Sequence, residues 1–245
     1  FRLTKFKAQH NQKLNLYTGQ PRTNTNGSKT PTNHTRLPAR LSLFISSDNV
    51  INENFVYLAI ILNLVGGFGY IIDTWKGRTK PNRVTWFLWG AIPLIAYFAQ
   101  LQEGVGLASL MTLGISILPF VIFFLTFVTH KGVWKLTKFD YTCGALSVIG
   151  VTLWAITRDG SIAILFSIFA DATAALPTIT KSFRAPETES SLVYSMAALG
   201  AIITMLTIKT WNFATYAFPA YIFLVAGLIY LIIKFRLGER LANKL

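Results

Sequence analysis

From Asn54 to Phe235 the chain is a succession of long apolar stretches separated by short polar gaps. That pattern fixes the solvent before anything else. Seven stretches, at 54–75, 83–101, 106–129, 141–157, 161–181, 191–208 and 211–235, come near the ~20 residues a helix needs to cross the hydrocarbon of a bilayer. Lipid offers no partner for an unpaired backbone group, so each stretch is expected to be a helix. Composition agrees: the chain is 52% apolar and 13% charged, whereas soluble domains run near a quarter charged. Internal glycines and prolines, among them Pro93, Pro119, Pro177 and Pro219, fit this reading, because membrane helices tolerate both.

The net charge of +13 invites a nucleic-acid reading. The placement of the charges argues against it. Thirteen basic residues sit in or beside alternate gaps and the C-terminal tail: four around 76–83, three in 130–140, two in 181–190 and four from Lys234 onward. The intervening short loops carry only Arg158 and Lys209. This is the positive-inside pattern. It places the C-terminus in the cytoplasm and the N-terminus outside, with the chain expected in a bacterial inner membrane. Nucleic acid is not expected as a partner; membrane lipid is.

Residues 1–53 read differently. They are rich in Asn, Thr, Gln, Lys and Arg, with eight basic residues before Asp48. No apolar run of signal-peptide length appears there. We expect a polar basic tail, either disordered or an over-extended start; a tail touching anionic lipid is the alternative.

The polar gap KGRTKPNRVTW (76–86) reappears 105 residues later as KSFRAPETESS (181–191). Lys76 falls on Lys181, Pro81 on Pro186 and Thr85 on Ser190. The same offset superposes the first three spans on the last three, and Trp89 on Tyr194. A three-helix unit starts and ends on opposite sides of a membrane. A second copy in the same orientation therefore needs one extra crossing, and the fourth span supplies it. The expected fold is an all-α polytopic membrane protein of seven helices, arranged as two parallel three-helix repeats around an inverting helix (3+1+3). Its segments are 54–130 for the first repeat, 131–160 for the linker and inverting helix, 161–235 for the second repeat, and 236–245 for a cytoplasmic tail. Parallel repeats about an axis along the membrane normal are a known transporter plan.

The stretches GYIIDTWKGRTKPNRVTWFLWG (69–90) and ADATAALPTITKSFRAPETES (170–190) resemble the repeats of the PQ-loop and SWEET superfamily, nearest to a bacterial branch without assigned substrates. The resemblance covers about residues 54–235. It implies a facilitator or exchanger of small solutes, with the pathway between the two three-helix units and the N-terminus outside. Pro177-Thr178 stands where the second Pro-Gln pair would be, and Ile72-Asp73 where the first would be. The asparagines that sugar-carrying members present from the third helix of each unit have no match here beyond Asn212, at the start of the last span. The expected solute is a small polar molecule, and the pattern of the sugar-carrying members is not matched at these positions.

Asp171 is the most informative residue. A carboxylate near the middle of a span costs on the order of 3 kcal/mol to insert, so it is expected to face the bundle interior as a substrate or proton site, or to bond a neighbouring helix. The resemblance adds that some PQ-loop transporters are proton-coupled through an Asp. Asn63, Trp89, Tyr194, Ser116 and Tyr221 complete the expected pathway. For Ser116, on the hydroxyl stripe Ser109–Thr112–Ser116, close helix packing is the competing reading. Pro177 deprives the Thr173 carbonyl of its helical donor and, with Gly66, Gly67 and Gly69, is a candidate hinge.

Several chemistries are excluded. Lys209 and Lys234 lie at span ends, so no lysine is placed for a retinal Schiff base. No His lies inside a span, which removes a buried Ser–His nucleophile. There is no phosphate-cradling Gly-rich loop, no metal-ligand cluster, and Cys143 stands alone, so no disulfide forms within the chain. No cofactor and no enzymatic activity are expected. The reading is a transporter of a small polar solute by alternating access, with a proton as candidate co-substrate. The alternative is a non-transporting sorting or signalling receptor on the same scaffold.

Overall fold

The computed structural model describes residues 50–129, 133–157 and 159–242. The expectation for residues 1–53 lies outside the described residues except at its last four. Every regular element among the described residues is helical. A 3-10 turn, Glu53–Phe55, leads into α1, Val56–Trp75. There follow α2, Arg83–Gln102, α3, Ser109–Val128, and α4, Lys138–Thr157. Then come α5, Gly160–Arg184, α6, Ser191–Leu206, α7, Phe213–Phe235, and α8, Leu237–Ala242.

Among the described residues, five helical segments are long and apolar enough to cross a membrane: Glu53–Trp75, Arg83–Gln102, Ser109–Val128, Gly160–Arg184 and Phe213–Phe235. The outward face of α1 shows what they meet. Leu58, Ile61, Val65, Phe68 and Ile72 recur at helical spacing and are all exposed. The opposite face buries small and polar residues, among them Ala59, Asn63, Gly66, Gly67 and Thr74. In water such an apolar stripe would be an uncovered patch. These helices are compatible with an integral membrane protein.

The remaining two expected spans differ from their sequence reading. α6 has 16 residues, about 24 Å at 1.5 Å per residue, and stops two residues early. Its end is closed by Thr207, whose N–H bonds Ile203 O at 3.2 Å and whose hydroxyl donates to Thr204 O at 2.7 Å. α4 starts at Lys138, three residues before the expected position, because Thr137 and Asp140 cap it reciprocally. Asp140 Oδ2 accepts the Thr137 N–H at 2.6 Å, the arrangement of a capping box.

The repeat offset also shifts. α5 continues to Arg184, so α2 and α6 start 108 residues apart (191 − 83) rather than 105. Thr85 consequently lies inside α2, whereas Ser190 precedes α6. Part of the expected tail, 237–242, is the short helix α8. Its Gly238 lies so close to the Phe183 carbonyl that a Cβ there would overlap it.

The helices close into a ring. α1 packs on α3 and α3 on α2; α5 packs on α7 and α7 on α6. In each of these two trios the helix latest in the chain is the middle one. α1 then meets α6, and α2 meets α5, completing the ring. α4 lies against α5 and, less extensively, α2. Ser147 fastens it: its hydroxyl donates to Ala170 O at 2.8 Å and lies 2.8 Å from Thr173 Oγ1.

Small residues let the ring close. A Cβ on Gly66 would come 2.9 Å from Met196 Cβ and 3.0 Å from the Val193 backbone. One on Gly67 would overlap Leu118, and one on Gly69 would lie 2.8 Å from Leu192. The three expected hinge glycines are therefore close-approach points of α1 with α6 and α3, as small residues at membrane helix interfaces are. Gly66→Val is expected to lower stability by roughly 1–3 kcal/mol, the usual cost of overpacking. Equilibrium unfolding in mixed micelles measures it; an unchanged midpoint would mean that α1 and α6 do not depend on this contact.

Candidate functional site

At the centre of the ring is a cavity of about 100 Å³ to which all six ring helices contribute and, among the described residues, α4 does not. α1 supplies Asn63 and Gly67; α2 supplies Trp86, Trp89 and Pro93; α5 supplies Asp171. α6 brings Tyr194 and Ala197, while α3 and α7 add mainly aliphatic side chains such as Ile115 and Ile222. Four of the expected pathway residues, Asn63, Trp89, Asp171 and Tyr194, thus line one space although they come from four helices.

Asp171 is 2% exposed. Its Oδ2 accepts a hydrogen bond from the Tyr221 hydroxyl at 2.7 Å. Its Oδ1 is buried without a partner. No cationic side chain pairs with it among the described residues. Tyr221, expected in the pathway, is not among the cavity-lining residues and reaches the site through this carboxylate. Asn63 donates to Ala59 O at 2.9 Å within its own helix. Gly200 makes room for this amide, since a Cβ there would come 2.8 Å from Asn63 Nδ2.

The aromatic residues form a continuous wall. Tyr70 and Trp86 lie 4.4 Å apart, Trp86 and Trp89 5.4 Å, and Trp89 and Tyr194 6.1 Å, centroid to centroid. The last two pairs meet edge to face, at 83° and 73°, a favoured geometry for aromatic pairs. The expected facing of Trp89 and Tyr194 is present. Trp86, which its place near a span end marks as an interface aromatic, is instead buried on the cavity wall; it lies one turn before Trp89, a helical i, i+3 spacing that points to the same face.

Ser116 does not line the cavity. Its hydroxyl donates to Leu113 O at 2.7 Å, back along α3. The residues of α3 that reach the space are on another face, from Gly114 to Ile122. Pro177 lies inside α5 but lines a second cavity, of about 460 Å³, between the start of α4 and the end of α5. One turn before it, Ala174 O accepts from the Thr85 hydroxyl at 2.9 Å, so the motif residue Thr85 ties α2 to α5.

The two repeated polar gaps meet each other at one end of the cavity ring. Lys80 N–H donates to Thr188 O at 3.0 Å. Lys181 is fully buried, donates to Lys80 O at 2.6 Å and forms an ion pair with Glu189. Glu189 also accepts from the Tyr194 hydroxyl at 3.0 Å, which connects this closure to the cavity wall. Trp134 covers Lys181, its ring centroid 5.4 Å from Nζ. Pro81 and Pro186 are buried in the same junction, whereas Lys76, the repeat counterpart of Lys181, is exposed. Ser190 precedes α6 without a capping side-chain bond. Among the described residues no group of His, Cys, Asp and Glu could hold a metal ion.

Compared with family models, with curated proteins and with solved structures, the chain matches none of them.

Proposed function

We propose that this chain is a membrane transporter of a small polar solute, working by alternating access through the central cavity. In this reading all seven long helices cross the membrane as two parallel units joined by α4, as in the PQ-loop and SWEET superfamily that the sequence resembles. The polar gaps at 76–82 and 185–190 are then cytoplasmic, and a bacterial inner membrane is the proposed location. The observation that carries the reading is the position of Asp171: a buried carboxylate with one unpartnered oxygen, in a cavity shared by both units. Such a group inside a membrane bundle marks a solute or proton site.

The ring gives the reading a moving part. The two units touch chiefly along α1 with α6 and α2 with α5, so rocking one against the other would open the cavity on either side in turn. The junction of Lys181, Glu189 and Lys80 would be the closed gate of one side. A proton on Asp171 is the proposed coupling ion. A non-transporting receptor that reads a signal at the polar gaps alone would leave this unpartnered carboxylate without a role.

Purified full chain in proteoliposomes, offered a panel of small solutes with and without a pH gradient, tests this. Uptake of at least one solute above empty liposomes is expected. Uptake of none by correctly folded protein would favour the receptor.

A further inference from the structure

We propose that the solute held by the central cavity is a small protonated amine that also carries an acceptor oxygen, a compound of the amino-alcohol type. This inference rests on the cavity being the solute site. Asp171 Oδ1 is an unpartnered acceptor in a residue 2% exposed, and its second oxygen is already occupied by Tyr221. The buried cation among the described residues, Lys181, is committed to Glu189. Among the described residues no side chain therefore supplies a counter-charge at Asp171, and a ligand ammonium N–H completes it.

The wall chemistry agrees. Trp86, Trp89 and Tyr194 form one aromatic wall of the same space. Aromatic rings attract a desolvated cation and give nothing comparable to a neutral polyol. The indole N–H of Trp89 is also buried without a partner. It requires an acceptor, which an alkylamine lacks and an amino alcohol has. Buried orphan donors and acceptors discriminate strongly between ligands that do and do not complete them. The volume of about 100 Å³ lies below the ~300 Å³ at which pockets for drug-sized ligands begin, so the amine has only a few heavy atoms.

Calorimetric titration of the full chain in detergent micelles with ethanolamine, ethylamine and ethylene glycol tests this. Ethanolamine is expected to bind more tightly than ethylamine, and at least tenfold more tightly than ethylene glycol. Asp171→Asn should lose at least tenfold in ethanolamine affinity. Trp89→Phe, which keeps a ring and removes the donor, should bring ethanolamine down to the affinity of ethylamine; it decides the matter if Asp171→Asn fails to fold. Equal binding of ethylene glycol, unchanged ethanolamine binding in folded Asp171→Asn, or no ethanolamine binding at all would overturn the proposal. Amine binding without uptake in proteoliposomes would uphold it and count against transport. Uptake of a neutral solute indifferent to Asp171→Asn would uphold transport and overturn the amine.

Discussion

Glu189→Gln is expected to destabilise the protein by about 3–5 kcal/mol, the usual effect of stripping a buried cation of its partner. Both side chains of the Lys181–Glu189 pair are fully buried. The amide can still accept from Tyr194, so the loss isolates the charge on Lys181 from the hydrogen bond at 3.0 Å. Removing both charges in Lys181→Met with Glu189→Gln should recover at least half of it, because no uncompensated ion then remains buried. Recovery will be incomplete, since Lys80 O loses the donor it has at 2.6 Å. Glu187→Gln is the control. Glu187 is exposed, and surface changes of this kind stay within about 0.5 kcal/mol. Equilibrium unfolding in mixed micelles ranks the three variants. A Glu189→Gln midpoint equal to that of Glu187→Gln would contradict the buried pair.

The second large effect concerns transport. Asp171→Asn should reduce solute uptake in proteoliposomes by tenfold or more while the protein still inserts and folds. Asparagine keeps the shape and can still accept from the Tyr221 hydroxyl, now 2.7 Å from Oδ2. It lacks the charge, and hydrogen bonds to charged groups contribute about 1.5–3 kcal/mol. Tyr221→Phe leaves the carboxylate and removes the donor that orients it. Its effect should be smaller, and should fall mainly on solute affinity. Uptake by Asp171→Asn equal to that of the unaltered chain would remove Asp171 from the mechanism.

The sequence carried the helices well and the junctions poorly. All seven expected stretches coincide with described helices to within three residues at each end, because a hydrocarbon-length apolar run leaves the backbone one choice. The boundaries that moved did so for side-chain reasons. Thr137 with Asp140 started α4 early, and the last turn of α5 ran on to Arg184, which changed the repeat offset at the second polar gap. Asp171 was legible because a lone carboxylate in an apolar run has few places to go. Ser116 misled because a membrane helix can satisfy a hydroxyl on its own backbone, as this one does at Leu113 O. The Lys181–Glu189 pair was not legible. Glu187 and Glu189 are alike in sequence, and only the turn at Pro186–Thr188 aims the second inward.

The glycines show the same division. Their clustering in α1 was visible, but not which helix each admits. Gly66 meets α6, and Gly67 meets α3 at Leu118. That depends on the ring order, in which the third helix of each unit sits between the first two, and no spacing in the chain encodes it directly.

The cavity is proposed as the solute's path. Cysteine accessibility tests it most directly. Cys143 is buried and is first replaced by Ser; Ala197, on the cavity wall, is then replaced by Cys. A water-soluble, membrane-impermeant thiol reagent should label this cysteine from one side of the membrane, solute should protect it, and labelling should stop uptake. A cysteine unlabelled from both sides, or labelled with uptake unchanged, would contradict the account.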